Sequence, residues 1–149
     1  MQISFFNLIL FITFILNLWL GIYIWLKDKD SEANVTFGGA LLSCSWWTLF
    51  VLLWAYTRSE IAAVICRRLG VFGAVFIPST LVYFSLVFPK RKLTIPFIMK
   101  ALIFLPSFFF AAASFTPFMI ATADFPAFEK PLFGPIWPFF IVFVFVYLI

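Results

Sequence analysis

Apolar residues fall in long continuous runs, and short polar or proline-rich stretches separate them. The first run, Ile3 to Leu26, is closed at once by Lys27-Asp28-Lys29-Asp30. As a helix it reaches about 36 Å, enough to cross a hydrocarbon core of about 30 Å with some tilt. No Lys or Arg precedes Lys27, so the run reads as a retained anchor and not as a cleaved signal peptide. The second run, Val35 to Thr57, follows a short polar connection. The third, Leu69 to Phe88, is entered through Arg67-Arg68 and left through Pro89-Lys90-Arg91-Lys92. The fourth starts at Ile95, with Pro96 suited to a first helical turn. Pro117 to Pro135, which carries Asp124, Glu129 and Lys130, is too broken and polar to span. The last run, Ile136 to Ile149, reaches only about 21 Å as a helix. The pattern therefore predicts an all-α, polytopic transmembrane helix bundle forming a single domain over 1–149. Its four complete spans cover about 3–26, 35–57, 67–88 and 95–116, with a partial fifth at 136–149 and a loop at 117–135. The short fifth run leads us to expect a fragment of a longer membrane region.

Composition sharpens this picture. Hydrophobic residues make up 65% of the 149 and charged residues 11%, against roughly 45–50% and about 25% in a soluble domain. Too little polar surface remains to coat a water-facing globule. The 34 aromatic residues (24 Phe, 6 Trp, 4 Tyr) exclude a disordered chain as well. There is no histidine, so histidine-ligated haem or zinc and Ser-His-Asp or Cys-His catalysis cannot reside in this chain alone. No paired carboxylates, cysteine cluster or phosphate-cradling glycine loop appears. We expect no catalytic residues, no metal site and no cofactor, although the aromatic walls would suit a pigment or quinone.

The net charge of +4 comes from basic residues at helix ends. They form no stripe, so nucleic acid is not an expected partner. Expected partners are membrane lipids and other transmembrane helices or subunits, with a homodimer among the arrangements allowed. With the N-terminus outside, the inner side carries Lys27, Lys29, Lys90, Arg91, Lys92 and Lys100, and the outer side Arg58, Arg67, Arg68 and Lys130. The positive-inside rule favours that orientation.

The third span holds the most patterned residues. Gly70, Gly73 and Ala74 share one helical face, where small side chains let a neighbouring backbone approach. Pro78 removes the hydrogen bond to the Ala74 carbonyl and is expected to bend the helix. Pro106 repeats the device in the fourth span by freeing Leu102. These five residues read as a packing face with hinges, and ordinary packing of bent helices is the plainer reading of them. Arg67 and Arg68 lie at the outer boundary. They either snorkel to headgroups or, with Asp124 and Glu129 of the outer loop, form a mouth for an anionic or polar ligand. Trp47 and Trp54 share a face, as do Trp19 and Tyr23. Asn17, Ser43, Ser45 and Thr48 read as interhelical hydrogen-bonding groups. Cys44 lies mid-span and Cys66 near a mouth, too far apart to pair.

The stretch RRLGVFGAVFIPSTLVYFSLVFPKRK, from Arg67 to Lys92, resembles the third helix of the N-terminal seven-transmembrane region found ahead of bacterial histidine kinases. Arg68-Leu69, Gly73, Pro78, Phe84 and Phe88-Pro89 carry the likeness. Leu18 to Lys27 is similar to that family's first helix, and Leu132-Phe133-Gly134-Pro135-Ile136-Trp137 to the opening of its fifth. The resemblance implies a sensory input domain of a two-component receptor in the bacterial inner membrane, passing a signal by helix repacking to a cytoplasmic output module. It supplies no ligand residues, and a phosphoacceptor histidine cannot lie in this chain. The other reading of the residues is a non-catalytic accessory or scaffolding subunit of a membrane complex.

Overall fold

The computed structural model describes residues 5–88, 95–120 and 133–149. Six helices occupy them: α1 (Phe5–Lys27), α2 (Glu32–Tyr56), α3 (Glu60–Ala74), α4 (Phe76–Val87), α5 (Phe97–Ser114) and α6 (Trp137–Leu148). No named strand occurs among the described residues, only an isolated antiparallel bridge between Ile120 and Phe133. Four helical segments are long and apolar enough to cross a membrane: α1, α2, the α3–α4 pair and α5. α6 is a shorter apolar helix. This is an all-helical membrane protein.

Helix ends follow local chemistry. Lys27 closes the last turn of α1, where a cation meets the negative end of the helix dipole. Ser31 caps α2 by accepting from the Asn34 N–H at 3.4 Å, and Glu32 lies in the first turn. α1 crosses α2 closely because Gly21 and Gly38 face each other. A Cβ on Gly38 would stand 3.0 Å from the Gly21 carbonyl oxygen. Beside this crossing, Ser45 donates to the Phe14 carbonyl at 3.2 Å. Thr48 turns back instead, onto the Cys44 and Ser45 carbonyls of its own helix.

The third span begins earlier than its hydropathy indicates. α3 starts at Glu60, two turns before Arg67, so that only Thr57 to Ser59 connect it to α2. Glu60, Ile61, Ala62 and Ala63 sustain a helix despite the charge, because hydropathy reports the solvent and not the backbone. α3 and α4 form one bent span interrupted at Val75. Pro78 falls in the first turn of α4, where no intrahelical partner for its nitrogen is needed. The break therefore lies three residues before the proline, beside the carbonyl that the proline frees.

The core sits between the helices rather than at a centre. Val75, Phe110, Met119, Ile120, Phe140 and Phe143 form one buried cluster, and Tyr83, Val87, Ile95 and Ile103 another. Outward faces are apolar: Phe5, Trp19, Phe97, Leu102 and Phe139 are all exposed. In water such surface would be unfavourable by about 25 cal/mol per Å². In a bilayer it is the lipid contact.

Candidate functional site

Two polar centres lie at opposite ends of α2, and the bend in α3–α4 lies between them. Glu32 and Trp54 mark those ends, about 33 Å apart along the helix.

At the Trp54 end, α2 and α3 border a half-open cavity of about 180 Å³ lined by Trp47, Phe50, Trp54, Arg67 and Gly70, with Ile120 and Phe133 at its edge. Gly70 makes the room, since a Cβ there would meet Phe50 at 3.3 Å and Trp47 at 3.8 Å. The Arg67 guanidinium lies 4.6 Å from the centroid of the Trp54 ring, a cation–π contact. Arg68 turns elsewhere and donates to the Ile120 carbonyl at 3.4 Å. Two buried donors here, Trp54 Nε1 and Arg68 Nε, have no hydrogen-bond partner among the described residues. Asp124 and Glu129, expected to join the arginines, lie outside the described residues. Cys66 also lines the cavity, and both it and Cys44 are free thiols.

At the bend, Gly73 lies under Trp46. A Cβ there would overlap the indole ring, which is pinned by an Nε1 bond to the Leu69 carbonyl at 2.7 Å. On the other side of the bend, Ser79 donates to the Ile103 carbonyl at 2.8 Å and Ser107 to the Val75 carbonyl at 2.6 Å. Their hydroxyl oxygens are 2.7 Å apart. Ser79, Ser107 and Val75 are fully buried. Each serine directly follows a proline, Pro78 in the first turn of α4 or Pro106 inside the unbroken α5, and each serves a carbonyl on the other span. The repeated Pro-Ser dipeptide was the available sequence signal for this pair, and the proline spacing alone does not single it out.

At the Glu32 end, the Glu32 carboxylate accepts from Lys100 Nζ at 2.7 Å and from the Tyr83 hydroxyl at 2.9 Å. This ties together α2, α4 and α5. The Glu32–Lys100 pair is the one salt bridge among the described residues, and both side chains are more than a third exposed. In the sequence Lys100 counts only as one of the inner-side basic residues and Glu32 does not stand out, because a single carboxylate at a helix start carries no mark of a partner 68 residues away. No cluster of metal-ligating side chains occurs among the described residues.

Membrane spans, a small-residue face next to a broken helix, and matching residues from the first helix to the fifth all point one way. Residues 9–149 match the family described as the N-terminal 7TM region of histidine kinase. The chain belongs to that family. No curated protein and no solved structure matches it. The histidine-kinase 7TM region is a sensor region of a signal-transducing membrane protein and not the catalytic part, in keeping with a chain that has no histidine.

Proposed function

We propose that this 7TM region is the sensory input of a two-component receptor in the bacterial cytoplasmic membrane. The family match over residues 9–149 carries the reading. The N-terminus lies outside, so the Trp54 end of α2 faces outward and the Glu32–Lys100–Tyr83 cluster faces the cytoplasm. A signal received near Arg67 alters the packing of α3 on α2. The break at Val75 converts that change into movement of α4 against α5, and the movement passes to a cytoplasmic output module. The chain's own residues bind and repack, and phosphoryl chemistry belongs to the output module.

Pro78→Ala tests the hinge. Restoring the missing N–H lets α3 and α4 run straight, and a bias of 1–2 kcal/mol between two states changes their ratio roughly 5- to 30-fold. Autophosphorylation of the full-length receptor in nanodiscs should therefore shift severalfold in its basal level, its signal response, or both. Unchanged output would count against the hinge. Orientation has its own check. With Cys44 and Cys66 replaced, an Asp30→Cys variant should react with an impermeant maleimide only after cells are opened, and labelling of intact cells would invert the topology.

A further inference from the structure

The cavity between α2 and α3 has the makings of a ligand site. Its volume of about 180 Å³ exceeds the roughly 150 Å³ at which an apolar cavity holds a benzene-sized body. Among the described residues its walls are aromatic or aliphatic apart from Arg67, Cys66 and Gly70, and none of them is Asp or Glu. The polar groups around it are donors. The Arg67 guanidinium carbon lies over the Trp54 ring, and its N–H groups suit a planar acceptor. Trp54 Nε1 is buried without a partner among the described residues, and so is Arg68 Nε, on the residue that holds the Ile120 wall. Buried donors without acceptors are costly, and a ligand bearing an acceptor relieves that cost.

We propose that this cavity binds a small apolar monocarboxylate, with its ring-sized body among Trp47, Phe50, Ile120 and Phe133 and its carboxylate against Arg67. The same carboxylate chemistry arrives either as a water-soluble aromatic acid or as the head end of a membrane fatty acid, the rest of whose chain leaves the half-open cavity towards lipid. The ligand's role as the sensed signal rests on the sensory reading above, but its binding does not.

The test uses the full-length receptor in nanodiscs of zwitterionic lipid, with tryptophan fluorescence as the readout. Para-bromobenzoate should quench saturably, and the neutral para-bromobenzyl alcohol should bind at least tenfold more weakly. Arg67→Gln should weaken the acid by about 10- to 100-fold, while Arg67→Lys keeps part of the affinity and shows that the fold survives. Trp54→Phe should remove much of the quenching, and Val51→Phe should abolish binding by filling the cavity. Dibromostearate runs in parallel. Saturable quenching by it alone assigns the carboxylate to the membrane, and by bromobenzoate alone to the aqueous phase, and either outcome upholds the site. Equal affinity for the alcohol, an Arg67→Gln receptor that binds as before, or no saturable quenching by either acid overturns it. Binding that leaves autophosphorylation unchanged upholds the site and removes its sensory role, so the two readings fail separately.

Discussion

Gly134→Ala should destabilise this protein more than a methyl group added at any other described glycine. A Cβ at Gly134 would overlap the Phe118 carbonyl and come within 2.7 Å of the Pro117 carbonyl oxygen. These are backbone atoms, so no rotamer change relieves the clash. The chain cannot simply shift, because the same crossing carries the Gly134 N–H to the Met119 carbonyl at 3.0 Å and the Ile136 N–H to the Phe118 carbonyl at 3.1 Å. Together with the Ile120–Phe133 bridge, these bonds seat α6, whose Phe140 and Phe143 pack on Phe110 at 5.5 and 5.2 Å. Overpacking typically costs 1–3 kcal/mol, and more when the neighbour is rigid, so we expect about 3 kcal/mol or greater. Gly73→Ala should cost less, because its obstacle is the Trp46 side chain, although moving that ring gives up the bond to Leu69. Gly39 has nothing within 4 Å of an added Cβ, and Gly39→Ala should gain up to about 1 kcal/mol of helix propensity. Thermal unfolding midpoints of the three variants in one detergent should fall in the order Gly39→Ala, Gly73→Ala, Gly134→Ala. A Gly134→Ala protein as stable as the parent would show that α6 is not seated this way.

The spans were legible because hydrocarbon imposes a coarse demand, about twenty apolar residues for each crossing, and that demand survives any detail of packing. The start of α3 was not legible, for the same reason: Glu60, Arg67 and Arg68 lower the hydropathy without weakening the helix. Around the candidate site the residues divided. Arg67 and Gly70 do border one cavity, together with Trp47 and Trp54, which the sequence presented only as a stripe on one face. Arg68 points to Ile120 instead. Adjacent residues on a helix are turned by about 100° from each other, so a pair of arginines seldom serves one pocket. The Glu32–Lys100–Tyr83 cluster was not readable at all, since it exists only once α2, α4 and α5 meet. Hydropathy finds helices, prolines find bends, and contacts between distant helices become visible only in three dimensions.

The bend itself offers the second large effect. Ser79 and Ser107 have two hydroxyl protons between them but take part in three short contacts, to the Ile103 carbonyl, to the Val75 carbonyl and to each other. If both protons go to carbonyls, the two oxygens face each other at 2.7 Å without a proton between them. If one proton bridges the serines, one carbonyl loses its hydroxyl. The pair therefore cannot satisfy every contact at once, and the proton arrangement is coupled to how closely α4 approaches α5. Ser107→Val replaces a fully buried hydroxyl with a larger apolar group. It strips the Val75 carbonyl of its donor, at about 1–3 kcal/mol for an unsatisfied buried group, and adds overpacking of about 1–3 kcal/mol. A total near 3 kcal/mol is expected, visible as a large drop in the unfolding midpoint. Ser107→Ala isolates the hydrogen-bonding part and should cost about 1 kcal/mol, in line with interhelical bonds in membranes. Ser79→Ala combined with Ser107→Ala should cost less than the sum of the single changes, because removing one serine already relieves the shortage of protons. Strict additivity in that double-mutant cycle would show that the two hydroxyls act independently and that the bend contains no such coupling.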